Sequence, residues 1–261
     1  MNIVKSRPFW AYLLIFLFTQ ILSAVCAVIV SRLNLISGLD PINTSAYALF
    51  IANALAVLLF LCYRPQAVNW QRTINGVRGS NLPKTIWVFL LAIPVILLIN
   101  LIQELFFPDL PNIVSDDMMR VIMDNPAGLI TISVLGPLAE EMLIRGGVQN
   151  DMYRRCAVQG WQVAVGLSAG IFALIHMNPA QMPAAFVLGL LLGYAYWWTG
   201  SLIAPVAIHV FNNSTACLMF KMAPEDETFV EFLGGRTGAG ITIVICIFFM
   251  YFIIRQIRSM Q

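Results

Sequence analysis

Long apolar runs separated by short polar loops organise the 261 residues. The first covers Phe9 to Ser31, the second Ala46 to Tyr63 and the third Ile86 to about Phe107, each near the ~20 residues a helix needs to cross a hydrocarbon core. The first run is too long for a signal-peptide core and is expected to be a retained span. An acidic stretch follows, and Pro108, Pro111 and Asn125-Pro126 mark it as irregular or partly interfacial rather than as another span. The fourth run then passes through Glu140 and Glu141 and ends among Arg145, Asp151, Arg154 and Arg155. A fifth covers Trp161 to about Met177 and breaks at Asn178-Pro179; a sixth, Met182 to Trp198, turns at Gly200. Leu202 to about Phe220 and Ile241 to Ile254 complete the pattern. The expected fold is all-α, a polytopic membrane helical bundle of about eight transmembrane segments. Residues 1–261 should form a single integral membrane domain, with 127–215 as its motif-bearing core.

Composition agrees with this pattern. The chain is 59% hydrophobic and 11% charged, with mean hydropathy +0.81, values outside the range of soluble domains. A net charge of +2, spread over many loops, gives no nucleic-acid signature. Arg64, Arg72, Arg78 and Lys84 lie in one loop without an acid, and Lys5, Arg7, Arg255 and Arg258 flank the ends. The positive-inside rule therefore puts both termini in the cytoplasm. It leaves Glu104, Asp109, Asp116, Asp117 and Asp124 outside, together with Glu225, Asp226, Glu227 and Glu231. Membrane lipid is an expected partner, and a bacterial cell (inner) membrane the expected location. The five cysteines show no metal-site spacing and read as small hydrophobic packing residues. Gly166-x-x-x-Gly170 and Gly189-x-x-x-Gly193 would let the fifth and sixth helices approach their neighbours closely.

Against this background a few polar residues stand out. Glu140 and Glu141 are adjacent carboxylates at the end of an apolar run, where each unpaired charge costs about 2.5 to 3.5 kcal/mol on insertion scales. Arg145, one turn on, is the natural partner of Glu141. The chain has two histidines, His176 and His209, both in or beside apolar segments. In a hairpin of the fourth and fifth segments, turning near Ala157 to Gly160, Glu140 and His176 stand at equal distance from the turn. His209 and Asn213 share a helix face, as do Phe172 and His176. Three segments thus aim Glu140, His176, His209 and Asn213 into one cavity, expected nearer the cytoplasmic side. The Asn178-Pro179 end of the short fifth segment should be buried among helices, where irregular backbone is tolerated. A carboxylate base, imidazoles and an amide donor can activate water and hold an oxyanion. The same residues also suit an ion or proton relay, a polar bond between helices, or, for Phe172, simple packing.

Glu140-Glu141-x-x-x-Arg145, Phe172-x-x-x-His176 and His209-x-x-x-Asn213 resemble, in order, the three motifs of the type II CAAX prenyl endopeptidase and bacteriocin-processing (CPBP, or Abi) family. The likeness covers about Ile130 to Thr215, including the Thr199-Gly-Ser-Leu-Ile-Ala-Pro lead into the third motif. It implies an intramembrane endopeptidase that hydrolyses membrane-embedded or membrane-associated peptides, of CAAX or bacteriocin type. In that role Glu140, aided by His176, would activate water; His209 and Asn213 would hold the oxyanion; Glu141, Arg145 and Phe172 would support them. No cofactor is expected, since His-Glu-x-x-His is absent, although Glu140, His176 and His209 are a conceivable zinc set. The alternatives are an ion- or proton-coupled transporter, or a non-catalytic immunity or adaptor protein. A peptide or membrane-protein substrate, reached from the cytoplasmic side, is the expected partner.

Overall fold

The computed structural model describes residues 9–37, 41–63, 81–155, 160–222 and 228–260. Helices account for nearly all of them: α1 (Phe9–Ser37), α2 (Pro41–Tyr63), α3 (Asn81–Phe106) and the short α4 (Asp116–Asp124). Next comes a continuous helical rod, α5, over residues 126–155, then α6 (Trp161–Ile175), α7 (Met182–Thr199), α8 (Ile203–Met222), the single turn α9 (Phe229–Phe232) and α10 (Gly235–Ser259). Six stretches among the described residues are long and apolar enough to cross a membrane: Thr44–Tyr63, Asn81–Phe106, Pro126–Tyr153, Met182–Thr199, Ile203–Met222 and Gly235–Ser259. The other two expected segments correspond to the shorter apolar stretches Trp10–Leu22 and Trp161–Ile175. The chain is a helical integral membrane protein. Lys5, Arg7, Arg64, Arg72, Arg78 and residues 225–227, on which much of the expected sidedness rests, lie outside the described residues.

Polarity is arranged for lipid. Ile21, Ile51, Val244, Phe248 and Tyr251 face outwards, where the solvent is hydrocarbon. Glu141, Arg145, Gln149, Ser168 and His209 are buried among helices, where each must find a partner. The acidic stretch contributes no span. It holds only α4, capped by Ser115, whose side chain accepts from the Met118 amide. Asn125 then accepts from the Ala127 and Gly128 amides and, with Pro126 in the first turn, starts α5.

The central rod α5 is not a uniform α-helix. Thr131–Leu135 and Met142–Gln149 are π-helical, flanking the α-helical Gly136–Glu141 that carries the two glutamates. Gly136-Pro137 gives a local cause for the first π segment. The Gly136 amide bonds to Thr131 O, and the next donor in the π pattern would be Pro137, which has no N–H. The carbonyl of Ile132 is thereby left without a helical donor.

Close approach fixes α5 in the bundle. A Cβ at Gly147 would lie 2.6 Å from the Tyr12 ring of α1, and one at Gly146 would lie 3.0 Å from Phe60 of α2. On the other side, Cβ atoms at Gly189 and Gly193 of α7 would lie 3.1 Å from Ala169 and 3.0 Å from Gln149 and Val165. The second glycine pair thus acts as expected. The first does not: nothing lies within 4 Å of a Cβ at Gly166 or Gly170. Those two glycines face away from the contact that Ala169 and Phe172 make with α7.

At the far end of α6 the chain turns through Met177 at φ 50° into Asn178, which is 3% exposed. The Asn178 side chain donates to Asn112 Oδ1 at 2.8 Å and accepts from the Ile113 amide at 3.3 Å. The irregular end is therefore covered by the acidic stretch. Gln103 at the end of α3 ties into the same knot by donating to Ala180 O at 2.6 Å. Gly200 ends α7 in the left-handed conformation at φ 66° and turns the chain into α8.

Candidate active site

The two adjacent glutamates project to different places. Glu141 is fully buried, and its Oε1 accepts from Arg145 Nη1 at 3.2 Å and from His209 Nδ1 at 2.9 Å. Arg145, also fully buried, turns Nη2 to the Gly189 carbonyl at 3.0 Å and lays its guanidinium 4.5 Å above the Phe172 ring. Planar geometry, a fork of donors and weak hydration suit Arg, not Lys, to this position. Phe172 in turn meets the His176 ring edge-on at 4.8 Å and the His209 ring at 5.4 Å. Arg145 therefore does more than neutralise Glu141. It fixes the aromatic plate against which both imidazoles rest.

Glu140 is partly exposed on a cavity wall. Its Oε2 is buried 3.9 Å from His209 Nε2, too far for a hydrogen bond, and no donor reaches that oxygen. His209 is thus held through Nδ1 by one glutamate and presents Nε2 towards the other. A carboxylate accepts only, so the Nδ1 nitrogen carries a proton in this pair. The same logic fixes the second imidazole. His176 Nδ1 lies 2.8 Å from the Phe172 carbonyl, so Nδ1 donates and Nε2 is left as an acceptor.

Asn213 meets the unpaired backbone of α5. Its Nδ2 donates to Ile132 O at 3.0 Å, supplying the bond that Pro137 withholds, and its Oδ1 accepts from Asn212 Nδ2 at 3.0 Å. One N–H of the Asn213 amide remains unassigned. This contact docks α8 on α5 about two turns before Glu140.

Glu140, Phe172, His176, His209 and Asn213 all line one cavity of about 760 Å³. Glu141 and Arg145 lie behind its wall. The cavity extends from Glu140 past Asn100 and Gln103 to Asn112 and Asp116, and none of its lining residues falls between 141 and 155. It therefore runs towards the acidic end of the bundle, not towards the basic Arg145–Arg155 end where the sequence led us to expect it. The physical reason is packing: residues 141–149 are all buried, sealed by Tyr12, Phe60 and α7.

Residues 123–215 match the family model for Rce1-like type II CAAX prenyl endopeptidases. Over this stretch the chain is similar to a type II CAAX prenyl endopeptidase domain. The matched stretch holds every residue of the three motifs and ends with α8 only part complete. The membrane-embedded CAAX protease MroQ of Staphylococcus aureus (strain USA300) is 28% identical over 120 residues, 44% of this chain and 47% of that protein. The chain thus matches about half the length of this curated relative. No solved structure matches it.

Two features of the site escaped the sequence reading. Gln149 donates to Gly193 O at 2.9 Å and accepts from Ser168 Oγ at 3.1 Å, a second bridge between α5, α6 and α7 one step beyond Arg145. Its spacing of four from Arg145, matched by Gly189 and Gly193, was the available signal. Gln103, outside the domain, sits on the cavity wall with a buried, unpartnered Oε1. A zinc ion would need three donors gathered within about 2 Å of one point. Among the described residues no group of three or more His, Cys, Asp or Glu side chains, Glu140, His176 and His209 included, is so arranged.

Proposed function

We propose that the chain is an intramembrane endopeptidase in which Glu140 activates the attacking water. The observation that carries this reading is the asymmetry of the glutamate pair. Glu141 is fully buried with Oε1 bonded to Arg145 and His209, whereas Glu140 is partly exposed on a cavity lined by both histidines and its carboxylate is not engaged by Arg145. An ionised carboxylate with a free oxygen is what a general base requires.

In the proposed reaction Glu140 takes a proton from water as the oxygen bonds to the scissile carbonyl carbon. His176, through its acceptor Nε2, orients that water. The oxyanion is held by His209, protonated at Nε2 for that role, and by the remaining N–H of Asn213. The C–N bond then breaks as Glu140 returns the proton to the leaving nitrogen, giving a carboxylic acid and an amine, and the acid's remaining proton passes to the amine to leave a carboxylate and an ammonium. Glu141, bonded to Nδ1, keeps the His209 ring in orientation and balances its charge when both ring nitrogens are protonated. Arg145 and Phe172 position the pair without touching substrate.

The supporting match is to a protease family, and the cavity's depth in the bundle suits a membrane-embedded or membrane-associated peptide. The test is to purify wild type, Glu140→Ala and His209→Ala in detergent and incubate each with a library of membrane-anchored peptides, reading products by mass. Cleavage by wild type alone, with all three equally folded, is the expected result. No cleavage by any of them, alongside a proton or ion flux in liposomes that Glu140→Ala abolishes, overturns it in favour of transport.

A further inference from the structure

Amide and acid side chains are sparse along α3. Between Ile86 and Phe107 they are Asn100, Gln103 and Glu104. Glu104 is spent within the fold: its carboxylate oxygens accept from the Phe229 and Val230 amides at 3.0 and 2.9 Å and cap α9. Asn100 and Gln103, one turn apart, line the cavity that holds Glu140, His176 and His209. Three other carboxamides of that cavity are engaged as well, Asn53 with Leu49 O at 2.9 Å, Asn112 with the Asn178 side chain at 2.8 Å and Asn212 with Asn213 Oδ1 at 3.0 Å. Asn100 is exposed, and no hydrogen bond holds it among the described residues. Gln103 commits Nε2 to Ala180 O at 2.6 Å, and its buried Oε1 has no donor.

An acceptor left without a donor inside an apolar bundle is costly. A peptide entering that bundle has the complementary need, since every main-chain N–H taken out of water must be bonded again. The spacing suits the pair. Residues three apart on a helix hold their Cβ atoms about 5 to 6 Å apart, and N–H groups on one edge of an extended strand recur every second residue, about 6.6 Å. The anchor on Ala180 O fixes which way the Gln103 amide faces, so Oε1 is the atom left for a donor, and Asn100 has its oxygen available too. Resting on the endopeptidase reading above, we propose that Asn100 and Gln103 form a substrate-binding subsite whose side-chain oxygens accept main-chain N–H groups two residues apart on an extended peptide. Both lie outside residues 123–215. The stretch that matches the protease family then supplies the reacting groups, and α3 supplies a hold on the peptide backbone that reads no side chain.

The test uses the full chain in liposomes, the best-cleaved peptide of the membrane-anchored library, and analogues of it in which one amide at a time, the scissile one excepted, is replaced by an ester. Each ester removes a single N–H and keeps the shape of the chain. Wild type should lose about five- to tenfold in kcat/KM, carried by KM, at two positions that lie two residues apart. Asn100→Leu should abolish one of these penalties and Gln103→Met the other, while both variants cleave the parent peptide more slowly than wild type. Each penalty is a ratio taken within one protein, so a general loss of stability or activity does not imitate its disappearance, and the two variants test the subsite independently. Penalties of equal size in wild type and both variants, or no such pair of penalised positions in wild type, overturn this inference and leave the endopeptidase reading standing. No cleavage of the parent peptide by folded wild type overturns both.

Discussion

His209 stands between two glutamates that it meets with different nitrogens: Nδ1 lies 2.9 Å from Glu141 Oε1 and Nε2 lies 3.9 Å from Glu140 Oε2. Adjacent residues of one helix thus have different environments, one fully buried and ion-paired, the other partly exposed to a cavity. A difference in role follows from this difference in contacts. Glu140→Gln should lower kcat by about 10²- to 10⁴-fold, the usual contribution of a general base, with little change in thermal stability. Glu141→Gln should lower both, because it leaves Arg145 as an uncompensated buried charge. Thermal unfolding in detergent and peptide cleavage, measured on both variants, separate the two patterns.

Arg145 has a stricter requirement than charge. Arg145→Met strands the Glu141 carboxylate and should destabilise the fold by roughly 3 to 5 kcal/mol. Arg145→Lys should recover little of this, since an ammonium cannot bond Glu141 and Gly189 O while lying flat on Phe172. The double variant Glu141→Gln/Arg145→Met removes both charges and should be more stable than Arg145→Met alone. Equal stability of Arg145→Met and wild type would contradict the account.

How much of this could be read from the chain depends on the scale of the signal. The apolar runs are long and regular, so helices appear where the pattern puts them, and Gly200 and Asn125-Pro126 mark their ends as expected. The motif residues were also legible, because charged and imidazole side chains in apolar runs are conspicuous. The cavity's direction was not. It depends on which half of α5 is sealed, and that is decided by Gly146 and Gly147 receiving Phe60 and Tyr12 from α2 and α1, a contact between segments far apart in sequence. The π segments were missed although Gly136-Pro137 carried a local sign of one. Gly166-x-x-x-Gly170 misled because spacing gives a face of a helix but not what that face meets.

The two glycine pairs give a direct contrast. Gly147→Ala places a Cβ 2.6 Å from the Tyr12 ring and should cost about 1 to 3 kcal/mol by overpacking. Gly170→Ala meets nothing within 4 Å and should be neutral or slightly stabilising through helix propensity. Unfolding midpoints of the two variants check this, and equal losses would contradict it.

One pH effect lies outside the spans. The Glu231 carboxyl is held below its ordinary value of 4.5 by the Thr228 amide and hydroxyl, which both donate to Oε2 at 2.9 Å and cap α9. A depressed folded-state value means that the cap contributes fully above the ordinary value and is lost as pH falls through the folded one. Amide exchange at residues 228–232 should therefore be unchanged from neutral pH down to about pH 5, with protection disappearing at lower pH. In Glu231→Gln the protection should be weaker throughout and lack this acid transition.

The donor set also bears on metal. With Glu140, His176 and His209 not gathered around one point, dialysis against a chelator should leave the cleavage rate unchanged. A rate lost on chelation and restored by stoichiometric zinc would show that the site rearranges around a metal.

The most direct test of a glutamate-activated water is a single-turnover cleavage in water enriched with oxygen-18, followed by mass analysis of product and protein. Direct attack predicts one heavy oxygen in the newly formed product carboxylate and none in the protein fragment that carries Glu140. Heavy oxygen in that Glu140 fragment, with an unlabelled product, would show that the carboxylate itself attacks the peptide and would contradict the account.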